Sequence, residues 1–321
     1  MRDTVVCRAS PSLALVKYWG KMPDRRNVPA TSSLALTLSG LSTTTRVSYS
    51  NSRDTIIVDG AESDRERYLP FFDEVRRISG STRTFHAESS NDFPGSAGLA
   101  SSSSGFACLA YGCLTLLGLA GDLKTVSSVA RLGSASAARA VFGGFTALRR
   151  GEESAEELYP RSYWPELRVV AAVVSTCKKE VSSRRAMEAA RTSSPFYDAW
   201  IVDAEKQFAA AQAALEKKDM EALGTCMQNS YLRMFATMIS AEAPVIYWQP
   251  GSVELIHACR ELRAAGTAAW ETMDAGPQVK VLTSEKDLER VTSTLRGIDS
   301  VERIIVARAG EGVRLAEPDL Q

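Results

Sequence analysis

The stretch from Asn91 to Gly105, NDFPGSAGLASSSSG, contains residue types that suit phosphate binding. Glycine allows a ligand to approach the backbone closely, and serine is a good helix N-cap. The stretch runs into the apolar segment Phe106 to Leu119, which we interpret as a buried helix. Such a loop directs N–H groups and the positive end of the helix dipole at one place, where an anion can bind. The alternative is a flexible linker, although linkers rarely carry Phe, Pro and Leu at fixed places. The stretch matches neither the Walker A nor the G-x-G-x-x-G pattern.

Two further segments place cations beside aromatic or small residues. The segment KYWGK, residues 17–21, puts two ammonium groups and a phenol around one turn, and Lys17 directly follows an apolar strand. Partly buried lysines usually have anionic partners. In GSASAARAVFGG, residues 133–144, Arg139 stands among Ala and Gly, where it suits a carboxylate or a phosphate. Each segment also has an ordinary interpretation, a solvated basic edge for the first and an Ala-rich helix face for the second.

Two later segments add a basic run and a lone acid. The run KKEVSSRR, residues 178–185, follows a predicted buried strand, so it lies at a strand end where ligands often bind, or it is a solvated face. The segment TMDAGPQ, residues 272–278, holds Asp274 in a Gly/Pro turn. Taken alone, Asp274 is most simply an Asx-turn residue.

The patterns around these segments predict a mixed α+β fold without internal repeats. Strands are predicted at 4–9, 31–38, 44–48, 55–59, 83–88, 168–175, 279–283 and 303–308. Helices are predicted at 65–78, 106–119, 124–132, 202–223 and 252–265. Turn residues at 51–54 predict a hairpin between the two strands that they join. The acidic, proline-containing stretch 152–165 predicts a surface connection or a domain boundary.

Composition restricts the class of protein. The chain has 321 residues, 45% of them apolar, with 38 basic and 38 acidic side chains, which predicts a globular protein of roughly two domains. The zero net charge leads us to expect no nucleic-acid partner. The 6 cysteines lack CxxC spacing, and with only 2 histidines we expect no zinc site and a reduced, cytoplasmic setting. The N-terminus lacks a signal peptide pattern, and the apolar run 105–120 is too short for a membrane span, so we expect no membrane partner.

Together the motifs resemble one family. KYWGK, NDFPGSAGLASSSSGF, RLGSASAARAVFGGF, KKEVSSRRAM and MDAGP occur in the order and at the spacing of the diphosphomevalonate (mevalonate 5-diphosphate) decarboxylases of the GHMP kinase superfamily. The resemblance spans Ser12 to about Thr283. It implies a GHMP-kinase fold of two α+β domains with the active site in the cleft between them. We place the domains at residues 1–165, with the ATP phosphate loop, and 166–321.

The implied reaction is the ATP-dependent decarboxylation of mevalonate 5-diphosphate to isopentenyl diphosphate in the mevalonate pathway, with release of ADP, phosphate and CO2. The resemblance also implies Mg2+ as a cofactor and a cytoplasmic homodimer. Two alternatives stay open. One is a phosphomevalonate decarboxylase that makes isopentenyl phosphate from mevalonate 5-phosphate, and the other is a non-catalytic GHMP-fold binding protein. The presence of Asp274 argues against relatives that only phosphorylate mevalonate at the 3-hydroxyl.

The resemblance assigns roles to individual residues. Asp274 matches the catalytic aspartate, Arg139 matches the arginine that holds the substrate carboxylate, and Lys17 resembles a further catalytic group. The residues that resemble substrate-binding groups are Tyr18, Lys21, Ser134, Arg139, Ser183 and Arg184. The residues that resemble the ATP phosphate loop are Gly98, Ser101, Ser102, Ser103 and Ser104. The resemblance leaves the identity of any protein ligand to Mg2+ open. The chain departs from the family pattern at Thr31, Ala186, Phe235 and Gln278.

Overall fold

The computed structural model describes residues 3–23, 27–93, 101–175 and 180–316. Within these ranges the α-helices are α1 (Leu69–Ser79), α2 (Ser101–Leu116), α3 (Leu123–Gly133), α4 (Ala135–Ala140), α5 (Ser183–Ser193), α6 (Tyr197–Glu216), α7 (Met220–Ile239), α8 (Pro250–Ala264) and α9 (Leu288–Arg296). The strands are β1 (Thr4–Ala9), β2 (Ser12–Val16), β3 (Ser33–Thr37), β4 (Thr43–Ser50), β5 (Thr55–Val58), β6 (Ala61–Glu62), β7 (Thr84–Asn91), β8 (Phe145–Leu148), β9 (Glu156–Tyr159), β10 (Leu167–Val173), β11 (Trp270–Met273), β12 (Val279–Ser284), β13 (Arg303–Ala307) and β14 (Arg314–Leu315). The predicted α+β class is confirmed. In the part of the chain that is described, no helix is both long and apolar enough to cross a membrane.

The largest sheet has six strands in the order β14-β1-β4-β7-β5-β6. Alternate residues of β1 are buried, as expected for a strand with one face on the core. The sheet packs on α2 through this face, and the closest approach is at Gly112, where a Cβ would lie 2.5 Å from Cγ2 of Val47 on β4. The predicted buried helix therefore exists, although it begins at Ser101 rather than Phe106. The serine run forms its first turn.

The predicted hairpin between β4 and β5 is wrong. Strand β7 lies between them, because it pairs antiparallel with β4 and parallel with β5. The turn that follows β4 instead carries Asp54, whose carboxylate accepts the Phe85 N–H at 3.0 Å and pairs with Arg76 at 2.9 Å. Strand order here is decided by contacts far apart in sequence, which local turn residues do not reveal.

The predicted helix 202–223 is also wrong, because the chain forms two helices, α6 and α7, in this region. The break lies at Lys218, whose φ of 53° is left-handed and ends the first helix. Asp219 then caps the second helix by accepting the Ala222 N–H at 3.0 Å. The second helix contributes to the cavity described below, because Met234 of α7 lines it.

Two four-stranded sheets, β2-β3-β8-β9 and β11-β12-β10-β13, flank the site. They share one hydrophobic core with α6 and α7, which includes Leu36, Phe145, Val169 and Met227. The sequence motifs lie at the ends of these elements: KYWGK follows β2, and Asp274 follows β11. The site therefore forms where the N-terminal and C-terminal halves of the chain meet. The domain division at residues 165 and 166 stays a prediction.

The last described residues return to the N-terminal half. Ala309 bridges to Leu38, and β14 pairs with β1. Between these contacts, Gly312 lies against the backbone, where a Cβ would come within 2.4 Å of the carbonyl oxygen of Val141. The final strand therefore completes the edge of the six-stranded sheet and reaches it through a gap that only glycine fits.

Candidate active site

One cavity of about 430 Å³ collects most of the residues singled out in the sequence. Its wall is built from the end of β2, the first turns of α2 and α5, helix α4 and the turn after β11. The predicted site residues that line it are Lys17, Tyr18, Lys21, Ser102, Ser134, Arg139, Ser183, Arg184 and Asp274. Segments separated by more than 250 positions in the chain are thus brought to one place.

The structure does not bring the whole serine run to this cavity. Ser103 and Ser104 are fully buried: the Ser103 hydroxyl accepts the Ser12 N–H at 3.2 Å, and the Ser104 hydroxyl lies 2.5 Å from that of Thr43. These two side chains anchor α2 to the neighbouring strands. At the helix start, Ser102 is exposed and lines this cavity, and Ser101 is half-buried and lines a neighbouring one. Gly98 lies outside the described residues, as do Lys178 and Lys179 of the basic run.

A buried ion pair joins Lys17 and Asp274 at the wall of the cavity. The two groups lie 2.8 Å apart, and their side chains are 2% and 25% exposed. The Lys17 ammonium also donates to the Ala14 carbonyl at 2.7 Å, and its backbone N–H donates to Ser230 on α7 at 2.8 Å. Burial lowers the pKa of Lys17 to about 8, although Asp274 acts in the opposite direction. Lys17 is thus a fixed cation whose charge is only moderately stable at neutral pH.

The second oxygen of Asp274 faces another lysine. Lys280 on β12 lies 3.2 Å from it, with a side chain that is 3% exposed. Burial alone would raise the pKa of Asp274, but the two ammonium groups outweigh it and hold that pKa well below its usual value. Asp274 is therefore ionised at neutral pH, and the simple Asx-turn interpretation does not describe it.

Arg139 is a nearly fully buried cation, 1% exposed, on the short helix α4. Its Nη1 donates to the hydroxyl of Ser33. Its Nε is buried and has no hydrogen-bond partner within the described ranges. Burial lowers the pKa of Arg139 to about 10, with Asp274 and Tyr18 acting the other way, so the group stays charged. A buried cation with an unused donor at a cavity wall is suited to an anionic ligand.

The same cavity also carries polar groups suited to a phosphate chain. The buried Tyr18 hydroxyl has no partner in the part of the chain described, and burial raises its pKa, so it is a neutral donor. Burial and then the charge of Arg184 lower the pKa of Lys21 to about 8, against the effect of Glu188. Ser183 and Arg184 begin α5, so its first N–H groups and positive dipole end point at the same region.

A narrower cavity of about 160 Å³ adjoins the first one. Its apolar wall includes Ile56, Val58, Tyr68, Phe106 and Leu109. Ser102, in the first turn of α2, lines both cavities. This apolar slot therefore meets the charged cavity at the N-terminus of α2. A nucleotide has its parts in the same order, with the base first and the phosphates next.

Comparisons with known proteins agree with this geometry. Residues 9–159 match the family model of the diphosphomevalonate decarboxylase-like N-terminal domain, and residues 169–313 match that of the mevalonate 5-diphosphate decarboxylase C-terminal domain. The diphosphomevalonate decarboxylase of Aspergillus fumigatus is 34% identical over 92% of this chain and 81% of its own length. The chain belongs to the diphosphomevalonate decarboxylase family. The family predicted from the motifs is confirmed.

Solved structures of the family have the same fold. The mevalonate diphosphate decarboxylase of Staphylococcus aureus is 31% identical, with a TM-score of 0.92 over 99% of both chains. A structure described as MDDEF in complex with MVAPP, AMPPCP and magnesium is 37% identical, with a TM-score of 0.90 over 98% of this chain and 99% of the other. The predicted GHMP-kinase fold is confirmed.

None of the four departures from the family pattern lies on the wall of the charged cavity as far as the chain is described. Thr31, Ala186 and Phe235 are buried in the interior. Gln278 is also buried, and its amide accepts the Val174 N–H at 2.7 Å and donates to the Ser175 carbonyl. It ties the Asp274 turn to the end of β10, so this departure is structural.

Sequence reasoning missed two residues that hold the site. Ser230 was missed because α7 was not predicted. Lys280 was missed because only the pairing of β11 with β12 brings it close to Asp274. In that pairing Lys280 lies opposite Thr272, two residues before Asp274. A signal for Lys280 was present, since a lysine within the apolar strand VKVL requires a buried partner.

Proposed function

We propose that this chain is an ATP-dependent diphosphomevalonate decarboxylase. It phosphorylates the 3-hydroxyl of mevalonate 5-diphosphate, then loses phosphate and CO2 and so forms isopentenyl diphosphate. One observation carries the proposal: the Lys17–Asp274 pair and Arg139 line the same cavity, and the apolar slot adjoins that cavity at Ser102. The three groups combine a fixed carboxylate with two buried cations, a set that suits a substrate bearing a hydroxyl, a carboxylate and phosphates.

ATP is proposed to bind with its base in the apolar slot and its phosphates at the start of α2. The hydroxyls of Ser101 and Ser102, the first N–H groups of the helix and its dipole favour that placement. The γ-phosphate then lies beside Lys17, whose charge stabilises the transferred group. The predicted roles of Gly98, Ser103 and Ser104 would be backbone contacts, because the hydroxyls of the last two are already engaged.

Mevalonate 5-diphosphate is proposed to bind with its diphosphate between Tyr18, Lys21 and the start of α5, where Ser183 and Arg184 lie. Its carboxylate would meet Arg139, and Ser134 lies at the N-terminal end of the same helix. The two ends of the substrate thus contact different sets of residues. The 3-hydroxyl, between them, comes to face Asp274.

Magnesium is included because a relative is described with AMPPCP and magnesium together. Within the described ranges, no group of three His, Cys, Asp or Glu side chains could hold a metal ion. Both oxygens of Asp274 already face ammonium groups, so the described residues do not fit a magnesium cage. Mg2+ is therefore proposed as a partner of the nucleotide phosphates, the ligands that it commonly takes in such sites.

In the first step the 3-hydroxyl oxygen bonds to the γ-phosphorus, the bond to ADP breaks, and the hydroxyl proton passes to Asp274. A carboxylate with a lowered pKa is a weak base, so this transfer occurs late, when the forming O–P bond has made the proton acidic. Such timing suits a loose transition state, in which the nucleophile needs little prior deprotonation. Asp274 meanwhile orients the hydroxyl.

In the second step the C3–O bond breaks, and phosphate leaves with the bonding electrons. The electron pair of the C1–C2 bond then forms the C2=C3 double bond as CO2 departs. Arg139 holds the carboxylate at the correct angle for this cleavage. Because Lys17 and Arg139, which are proposed to face the reacting part of the substrate, are buried, little water is available there to trap the cationic centre at C3.

The proposal also includes the domain division, the oligomeric state and the cellular location. Two domains, 1–165 and 166–321, are supported by the two family models, which match 9–159 and 169–313. A homodimer is supported by exposed apolar side chains around the start of α6 and the end of α7: Phe196, Val202 and Ile239, which are 54%, 60% and 37% exposed. The molar mass in solution would decide it. A cytoplasmic location is proposed from the cysteine pattern.

Steady-state kinetics with mevalonate 5-diphosphate and mevalonate 5-phosphate, side by side with ATP, tests the function. We expect coupled release of phosphate and CO2 with the diphosphate. The Arg184→Ala variant should raise KM for the diphosphate by roughly 10–100-fold, the size of a lost charge-assisted hydrogen bond, and leave nucleotide affinity unchanged. A preference for mevalonate 5-phosphate would identify the chain as a phosphomevalonate decarboxylase instead. Absence of turnover with both substrates would favour a non-catalytic binding protein.

The pH dependence of kcat/KM offers a separate prediction. Lys17 and Lys21 both have pKa values lowered to about 8, so both lose their charge as pH rises above that value. We expect log kcat/KM to fall at high pH with a slope that approaches about −2, since kcat/KM reports ionisation of the free enzyme. Lys21→Arg, which stays charged, should reduce the slope to about −1. An unchanged profile in that variant would remove Lys21 from substrate binding.

A further inference from the structure

The carboxylate of Asp274 is held from two sides by lysines that differ in their access to ligands. Lys17 lies 2.8 Å from Oδ1 and lines the cavity. Lys280 lies 3.2 Å from Oδ2, is 3% exposed, and is not part of the cavity wall. One cation can therefore be shared with a substrate, and the other is directed at Asp274 from within the sheet.

Cations outnumber carboxylates around Asp274 in the described part of the chain. Among the described residues, the charges of Lys17 and Lys280 lower the pKa of Asp274, and those of Lys280 and Arg139 lower the pKa of Lys17. The three cations come from different parts of the fold. Tyr18 acts on Arg139 but stays neutral. A transferred phosphoryl group beside Lys17 would draw that ammonium toward itself and weaken its bond to Oδ1. With Lys17 as its only partner, Asp274 would then be left as a partly buried, unpaired carboxylate, which is a costly arrangement.

We propose that Lys280 is a positioning residue that keeps Asp274 ionised and directed at the cavity while Lys17 is engaged with the transferred phosphoryl group. The inference rests on the proposed function and deepens it. Lys280 holds the carboxylate through one oxygen, and the remaining lone pairs of Asp274 accept the 3-hydroxyl. Lys17 is thereby released to stabilise charge on phosphorus. The two lysines have separate tasks, although they contact the same carboxylate.

The first test reads the ionisation of Asp274 without substrate. The chain is labelled with 13Cγ-aspartate, and the Asp274 signal is assigned by its loss in Asp274→Asn. In Lys280→Met the pKa of Asp274 should rise by at least about one unit, the smallest shift usual for an opposite charge at this distance, and Lys280→Arg should restore it. Lys286→Met is the matched control, because Lys286 is exposed a few residues along the chain.

The second test uses kcat. Lys280→Met should lower kcat at acidic pH, and kcat should recover as pH rises. The acidic limb of the kcat profile should therefore move to higher pH by about as much as the pKa of Asp274 rises. KM for both substrates should stay within about 3-fold of wild type. Because Lys280 acts through Asp274, the same substitution should change kcat little in an Asp274→Asn background, where a double-mutant cycle reveals the coupling.

The outcomes separate this inference from the proposed function. A wild-type chain without turnover, together with a shifted Asp274 titration in Lys280→Met, would overturn the activity and support the holding role of Lys280. An active wild type with an unshifted titration in Lys280→Met would overturn that role. A kcat loss equal at every pH, and not restored by Lys280→Arg, would also overturn it, since a merely structural contribution gives that pattern.

Discussion

Asp274→Asn is expected to lower kcat by at least about 10²-fold, the low end for loss of a general base. The amide keeps the shape of the side chain but can neither accept the proton nor balance two buried ammonium groups. Binding of ATP should change little, because the proposed contacts to its base and to most of its phosphates come from the apolar slot and the start of α2 and not from Asp274. Single-turnover assays of phosphate and CO2 release, with nucleotide binding measured in parallel, check this expectation.

The same substitution should also cost stability. Lys17 and Lys280 both lose an ionised hydrogen-bond partner, and a hydrogen bond to a charged group contributes roughly 1.5–3 kcal/mol. Rates are therefore to be compared well below the melting temperature, with the exposed Asp198→Asn on α6 as control. Wild-type turnover would remove Asp274 from the mechanism. Full phosphorylation with loss of CO2 release alone would place Asp274 in the second step.

Arg139→Met should affect activity and stability in opposite directions. The substrate loses its carboxylate contact, so kcat/KM should fall by roughly 10²-fold, near the upper end for a charge-assisted hydrogen bond. The fold loses a buried cation whose Nε has no partner in the described chain. Because an unsatisfied buried donor is unfavourable, the free energy of unfolding should rise, on the order of 1 kcal/mol.

Thermal unfolding and steady-state kinetics of the same preparation check both signs. Arg296→Met, at the exposed end of α9, is the control and should change neither quantity appreciably. Lys at position 139 keeps the charge but loses the planar fork, so Arg139→Lys should recover only part of the activity. If Arg139→Met proved less stable than wild type, Arg139 would have a structural role that its few contacts do not indicate.

The residues at the site were largely predictable because they lie in short contiguous motifs. KYWGK and MDAGP each carry their chemistry within a few positions, and Asp274 and Lys17 could be named without knowing how the chain folds. Their pairing could not be deduced, since it joins the end of β2 to the end of β11. Lys280 was missed for the same reason. Its role depends on strand pairing, which no local pattern of residues specifies.

The errors in the fold have a related cause. The hairpin at residues 51–54 was predicted from turn residues alone, but β7, which begins only at Thr84, pairs with β4 instead. The single helix predicted over 202–223 ignored Asp219, a good N-cap preceded by two lysines. The second error was avoidable from local chemistry, and the first was not, because strand order depends on the packing of the whole sheet.

The return of the C-terminal segment to the first sheet has a consequence for biosynthesis. Strand β1 ends at Ala9, but its outer neighbour β14 begins only at Arg314. At a synthesis rate of about 5–20 residues per second, roughly 15–60 s pass between the two on the ribosome. During that time the outer edge of β1 presents unpaired N–H and C=O groups, which are a template for mispairing with other chains. The nascent chain is therefore most exposed to aggregation until β14, the last strand in the described part of the chain, has been made.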